Sequence, residues 1–160
     1  MKKIILWILV IIWSVMIFCL SSEPATTSDE TSGRFGQMII RMAISLNIID
    51  IPVSTDGDIF IYEMADKINH FVRKTAHFTI YLILGILSFM LAECYENRKK
   101  AILYALIFCL LYAISDEIHQ LFVPGRSGEI RDVLIDFSGS LLGIIILTFI
   151  SKIKRVSGNA

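Results

Sequence analysis

Four long runs of mostly apolar residues, rich in Ile, Leu and Phe, divide the sequence. They cover about residues 4–20, 75–92, 101–118 and 132–151. A helix rises about 1.5 Å per residue, so roughly 20 such residues reach across the ~30 Å hydrocarbon core of a bilayer. The runs do not alternate as membrane β-strands do, and a backbone in hydrocarbon must satisfy its own hydrogen bonds. The pattern therefore predicts an all-α, polytopic membrane protein built as a bundle of four transmembrane helices.

The composition supports one membrane domain over residues 1–160. Apolar residues make up 55% of the chain and charged residues 19%, whereas a soluble domain carries about 25% charged residues. This hydrophobicity excludes a disordered chain, and the net charge of zero provides no basic field for nucleic acid. Cys19, Cys94 and Cys109 are widely separated, which argues against a disulfide or zinc framework.

The first run is preceded by Met1-Lys2-Lys3, a start shared by membrane anchors and cleaved signal peptides. The run is long for the apolar region of a signal peptide, and no Ala-x-Ala cleavage site follows it. Phe18 does not fit a lipobox before Cys19. The sequence therefore favours an uncleaved anchor, with a cleaved signal peptide as the alternative.

Basic residues near the ends of the runs predict the orientation. They lie before the first run, between the second and third, and after the fourth: Lys2, Lys3, Arg98, Lys99, Lys100, Lys152, Lys154 and Arg155. The segment 21–74 holds eight acidic and five basic residues. Both termini and the loop at 93–100 are therefore predicted to be cytoplasmic, and segments 21–74 and 119–131 extracytoplasmic.

The long outer segment combines a predicted loop with helical patterns. Residues 21–33 are rich in Ser, Thr and acidic side chains, which is typical of an exposed loop. From Arg34 to about Ile49, polar residues recur at helical spacing in a mostly apolar stretch, which predicts an amphipathic helix. Such a helix lies on the outer leaflet or packs on top of the bundle. A second helical pattern begins at Asp58 and continues into the second run.

Polar side chains gather at the predicted outer ends of the last three helices. A charge near the bilayer centre costs at least ~2.5 kcal/mol, so such groups tend to face the bundle interior and pair. We expect them to meet in one polar, ligand-binding pocket. The candidate residues are Lys74, His77, Tyr81, Asp116, Glu117, Gln120, Arg126, Asp132 and Asp136.

An internal salt-bridge network is the alternative to a ligand site. In that case Lys74 would neutralise Asp116 or Asp132, and His77 would bond to Tyr112 or Glu117. Acidic candidates outnumber the fixed cations, however, and the surplus favours a protonated carboxyl group, a cationic ligand or a metal.

No metal site or cofactor is predicted from local motifs. Glu117 and His119 point to different faces of a helix, and no HExxH spacing exists. The chain contains no P-loop and no GxGxxG, so no nucleotide is suggested.

Two local features complete the predicted site. Pro124-Gly125 is a strong turn signal that would place Arg126 at the rim of the pocket. The planar guanidinium there suits phosphate or carboxylate, although it could also reach lipid headgroups without forming part of a site. Gly139-x-x-x-Gly143, together with Gly85, predicts a seam where helices approach closely.

Three motifs can be compared with known families. They read SDEIHQLFVPGR at residues 115–126, followed by Asp132 and by DFSGxxxG from Asp136 to Gly143; KTAHFxxYxxxG from Lys74 to Gly85; and FCLSSEP from Phe18 to Pro24. Their combination resembles the signature of the VanZ-like family over residues 1–150. Glu23 and Asp136 depart from it, since members more often carry Gln and Asn there, so the resemblance assigns no catalytic carboxylate at 136.

The resemblance implies a small multi-pass protein of the bacterial cytoplasmic membrane. The founding member of that family is associated with resistance to teicoplanin, while the resemblance implies no defined biochemical activity and no catalytic residue. The partners it suggests are membrane lipids, a lipid-linked cell-wall precursor or a lipophilic glycopeptide.

Two functions remain open from the sequence. In the first, the outer pocket binds one of these envelope molecules, and Arg126 and Lys74 hold an anionic headgroup. In the second, the protein is a membrane enzyme acting on a lipid phosphate headgroup, with His77 or Glu117 as general base. A transporter is disfavoured because the inner halves of the helices are almost purely apolar.

Overall fold

The computed structural model describes residues 1–52 and 56–157, with side chains described as far as residue 151. Within these residues the chain is all-helical. The elements in chain order are α1 (Lys2–Ser21), α2 (Ala25–Ser45), α3 (Gly57–Ala92), α4 (Arg98–Gln120) and α5 (Ile130–Ser157). Helices α1, α3, α4 and α5 are long and apolar enough to cross a membrane. The four predicted spans are therefore confirmed as helices.

Apolar side chains cover the outside of these four helices as well as the inside. On α1, Ile4 and Ile12 are 64% and 60% exposed, and on α5 Phe149 is 64% exposed. Water would not favour such a surface, because large continuous apolar patches are rare on soluble monomers. The exposed side chains are those that lipid tails would cover, as expected for a multi-pass membrane protein.

The chain divides into two compact units. The first comprises Met1–Ser22 and the chain from His77 onward, and the second is Glu23–Ala76. The first unit therefore contains α1, α4, α5 and the C-terminal part of α3. The second contains α2 and the N-terminal part of α3.

Apolar side chains of the first unit form three buried clusters. A fully buried cluster of Ile17, Tyr81, Leu84, Cys109 and Ala113 lies in its middle. Toward the C-terminal end of α3 lie two further apolar clusters: Phe89, Ala101, Ala105 and Ile144 in one, Leu6, Val10 and Leu91 in another. The buried hydroxyl of Ser88 lies in the same part of α3. The buried carboxyl groups of Asp116, Glu117 and Asp136 lie outside this part of the core.

Close packing of α3 against α5 depends on three glycines. A methyl group at Gly139 would overlap the Phe78 carbonyl oxygen, and one at Gly143 would overlap that of Leu82. On the facing helix, a methyl group at Gly85 would overlap the Ser140 carbonyl. The predicted small-residue seam is confirmed, and it lies between α3 and α5.

The second unit packs α2 against the N-terminal part of α3. A Cβ at Gly36 would lie 3.2 Å from the Ala65 carbonyl oxygen, so the two helices approach closely. Polar contacts flank this point, with Ser32 donating to Asn69 and Arg73 pairing with Asp29. The amphipathic helix predicted from Arg34 onward is thus present.

The exposed loop predicted over residues 21–33 is wrong for most of its length, because α2 already begins at Ala25. Pro24 immediately precedes the helix and has φ −53°, a backbone angle close to that of the first turn. Ser and Thr are weak helix formers alone. Here the contacts to α3 stabilise a stretch whose composition resembles a loop.

The connection between α4 and α5 contains the predicted tight turn. Gly125 has φ 75°, a left-handed conformation that glycine adopts without a steric cost. The Arg126 N–H donates to the Val123 carbonyl at 3.2 Å across the turn. The turn at Pro124-Gly125 is therefore confirmed.

Candidate functional site

Buried polar side chains of the first unit gather where α1 and α4 end and α5 begins. We call this region the polar end. Its buried polar residues are Ser21, Tyr81, Asp116, Glu117, Gln120 and Asp136. Five of these six were predicted as site residues; Ser21 was not.

Asp116 accepts two side-chain hydrogen bonds at the polar end. It is only 4% exposed, and its Oδ2 accepts from the Ser21 hydroxyl at 2.9 Å and from the Tyr81 hydroxyl at 3.2 Å. Its Oδ1 is buried and has no hydrogen-bond partner. One oxygen is thus fixed by α1 and α3, which leaves the other available.

Asp136 lies deeper still, at 1% exposure on α5. The Nδ1 atom of His77 lies 3.6 Å from its Oδ1, and neither carboxylate oxygen accepts a hydrogen bond. The His77 side chain is 19% exposed, so it is the most accessible member of the pair. The arrangement is an uncommon one, because buried carboxylates in proteins are nearly always hydrogen-bonded.

These three side chains form a single group, which we call the His77–Asp116–Asp136 cluster. One potential ligand atom from each residue lies within 4.8 Å of the others. The cluster joins α3, α4 and α5 and combines one imidazole with two carboxyl groups. Chemically it can hold a cation, share a proton, or orient His77 as a base.

Glu117 and Tyr112, the partners of His77 in the alternative of an internal salt-bridge network, form hydrogen bonds with other groups. The Glu117 Oε1 accepts the backbone N–H of Glu129 at 2.6 Å, which ties the end of α4 to the residues just before α5. The Tyr112 hydroxyl donates to the Ser14 carbonyl at 2.6 Å. The His77 side chain, which that alternative bonded to one of these two residues, instead has its Nδ1 atom 3.6 Å from the Asp136 Oδ1.

The remaining predicted site residues differ in burial. Gln120 is 4% exposed, whereas Arg126 and Asp132 are half-buried in the first unit. Lys74 is half-buried in the second unit and precedes His77 by three residues on α3. Lys74, Arg126 and Asp132 each have an interaction partner. A role in ligand binding remains a prediction for all nine residues.

The C-terminal end of α1 contributes contacts that the sequence reasoning missed. Besides Ser21, the Ser22 hydroxyl lies 3.0 Å from the His119 Nε2. The Phe18 ring stacks on the His119 ring, with centroids 4.3 Å apart. The available signal was the motif from Phe18 to Pro24, which marked this helix end without indicating what it contacts.

Comparison with known proteins adds one finding. The VanZ/LLP1 family model matches residues 6–151. The matched range begins within α1 and ends within α5, so it contains the whole His77–Asp116–Asp136 cluster, the Gly125 turn and the glycine seam. No curated protein and no solved structure shows a significant match.

Proposed function

This chain belongs to the VanZ/LLP1 family, and from that premise we propose that it binds the polar headgroup of a cell-envelope lipid at the polar end of its membrane bundle. The observation that carries the proposal is the clustering of the buried carboxyl groups at one end of the first unit. Asp116, Glu117 and Asp136 all lie at the polar end, whereas Ser88, a buried polar side chain farther along α3, carries no charge. Polar groups buried in a membrane protein are costly and commonly mark a ligand pathway or site.

The charge distribution of the sequence supports an outer location for this end. The first turn of α4, which follows the short connection from α3, contains Arg98, Lys99 and Lys100. Basic loops remain in the cytoplasm, so the opposite end faces outward. In a bacterial cytoplasmic membrane, the polar end then meets the headgroups of the outer leaflet.

Arg126 is the side chain best suited to an anionic headgroup. It follows the Gly125 turn, is half-buried, and lies on the connection that Glu117 fixes through the Glu129 N–H. A guanidinium group binds phosphate through two parallel hydrogen bonds. A phospholipid, a lipid-linked wall precursor and a lipophilic glycopeptide are the candidate ligands, and the mass of the bound molecule distinguishes them.

We expect native mass spectrometry of the purified full chain to detect a retained anionic envelope lipid. Arg126→Ala should lower the lipid-bound fraction at least tenfold, because the charge-assisted bonds to the headgroup are lost. Arg131→Ala is the matched control, since it removes an exposed arginine near the start of α5. An identical lipid profile in wild type and Arg126→Ala contradicts the proposal.

A membrane enzyme acting on a lipid phosphate is the second candidate, and the geometry at His77 favours it. A carboxylate beside an imidazole orients the ring and stabilises its protonated form. Glu117 is less suited to act as the base, because its Oε1 already accepts the Glu129 N–H.

For the enzyme, purified protein incubated with radiolabelled envelope lipids should release a new headgroup species. His77→Gln should slow that release by about 100-fold or more, in line with the loss of a general base. His70→Gln, which changes an exposed histidine on the same helix, should leave the rate unchanged. If no product forms with any envelope lipid, the enzyme hypothesis is rejected and the lipid-binding hypothesis is retained.

A further inference from the structure

We propose that His77, Asp116 and Asp136 form a binding site for a divalent transition-metal cation, with Zn²⁺ as the best-matched ion. The inference goes beyond headgroup binding and does not depend on it. No metal site was predicted from local motifs, because no pair of ligands occurs at a recognised spacing in the sequence. The structure forms the cluster from three separate helices, an arrangement that spacing along the chain does not show.

The first support is the distance between the candidate ligand atoms. Any two ligands that each lie about 2.1 Å from a tetrahedral metal are roughly 3.4 Å apart. The His77 Nδ1 and Asp136 Oδ1 atoms lie 3.6 Å apart, and all three ligand atoms fall within 4.8 Å. A direct charge-assisted hydrogen bond would instead bring nitrogen and oxygen to about 2.8 Å.

The second support is the set of buried oxygens without hydrogen bonds. Both oxygens of Asp136 and the Oδ1 of Asp116 are buried and lack a hydrogen-bond partner. Leaving a buried polar group unsatisfied is costly, and for a charged group the cost is larger. A bound cation would satisfy these oxygens together, and it would offset about two negative charges when His77 is neutral.

The third support lies in the groups that orient Asp116. The hydroxyls of Ser21 and Tyr81 donate to its Oδ2 and leave Oδ1 for the cluster. Metal-binding carboxylates are commonly held in this way by hydrogen bonds to the oxygen that does not bind the metal. Ser21 and Tyr81 are therefore positioning residues, and they come from α1 and α3.

The ligand set favours a transition metal over Mg²⁺ or Ca²⁺. Those harder ions prefer oxygen alone, whereas imidazole nitrogen with carboxylate oxygen suits Zn²⁺. Three protein ligands leave a fourth tetrahedral position for water or for an anionic group. Of the three side chains, His77 is the most exposed, at 19%, and Asp116 and Asp136 are buried.

The experiment uses the full chain in detergent, stripped with a chelator and titrated with ZnCl₂ alone. We expect one zinc per chain by calorimetry, together with a rise in the thermal unfolding midpoint. His77→Gln and Asp136→Asn should each weaken zinc binding by about 100-fold or more, because each removes a ligand or its charge. An excess of MgCl₂ should not displace the zinc.

Matched controls remove the same chemical groups from exposed positions on α3. His70→Gln and Asp66→Asn should bind zinc as wild type does. Failure of wild type to bind zinc saturably, or equal affinity in His77→Gln and wild type, overturns the proposal. Because zinc is the only probe, these results are independent of whether a lipid binds.

A second measurement covers the case in which the His77 or Asp136 variant does not fold. ¹⁵N NMR of imidazole-labelled wild type should show a zinc-dependent shift of the His77 nitrogens. The His70 and His119 signals, assigned through His70→Gln and His119→Gln, should stay in place. A His77 signal that does not respond to saturating zinc rules out the site.

Discussion

Gly139→Ala is expected to destabilise the membrane bundle strongly, although it adds only one methyl group. The new Cβ would overlap the Phe78 carbonyl oxygen and lie 3.1 Å from its carbonyl carbon and 3.3 Å from the Leu82 nitrogen. Overpacking costs roughly 1–3 kcal/mol. We expect the upper end, because the obstructing atoms are backbone and cannot move aside by changing rotamer. Thermal unfolding in detergent and the yield of monodisperse protein measure the effect.

Gly33→Ala is the control for this experiment. No atom lies within 4 Å of a Cβ at Gly33, which is in the middle of α2. Alanine favours helix by about 1 kcal/mol over glycine, so this variant should be neutral or slightly more stable. Gly143→Ala should resemble Gly139→Ala, because its Cβ meets the Leu82 backbone. A Gly139→Ala protein as stable as wild type would contradict the close α3–α5 approach.

Asp116→Ala should be the second strongly destabilising change. It leaves the buried hydroxyls of Ser21 and Tyr81 without their acceptor, and each unsatisfied buried donor costs about 1–3 kcal/mol. We therefore expect a loss of roughly 2–4 kcal/mol in the free energy of unfolding. Reversible unfolding in mixed detergent micelles gives the value.

The matched variants of Asp116 separate its hydrogen bonds from its charge. Asp116→Asn keeps an oxygen acceptor and removes the charge beside Asp136, so in metal-free protein its stability should equal or exceed that of wild type. Asp66→Ala removes an exposed carboxylate of α3 and should have little effect. Equal losses in Asp116→Ala and Asp116→Asn would show that the charge of Asp116, and not its acceptor role, stabilises the fold.

The spanning helices were predictable because their signal is local. Each run has enough mostly apolar residues to cross a bilayer, and a helix satisfies its backbone hydrogen bonds within the segment itself. The turn at Pro124-Gly125 was predictable for a similar reason, since proline fixes its own φ and glycine adopts a positive φ without steric cost.

The start of α2 was not predictable from residues 21–33 alone. Ser32 contacts Asn69, and Asp29 pairs with Arg73 on α3, about 40 residues farther along the chain. The composition of a segment reflects its helix propensity when it is isolated in water. The contacts to α3 stabilise the helix in the folded protein. Tertiary packing therefore makes most of residues 21–33 helical, although their composition predicts a loop.

The polar residues of the cluster could be identified from the sequence, but their pairing could not. Hydropathy locates His77, Asp116 and Asp136 near helix ends, whereas the rotation of each helix about its axis decides which side chains meet. That rotation depends on the seam, in which Gly139 and Gly143 face the backbone of α3. As a result, His77 lies against Asp136 and not against Tyr112 or Glu117.

The glycine seam also limits how two copies of this protein can associate. A small-xxx-small motif on a membrane helix is a common contact between identical chains. Here Gly139 and Gly143 are already covered by α3 of the same chain. A homodimer would have to form through other surfaces, such as the side of α1 where Ile4, Ile8 and Ile12 are exposed.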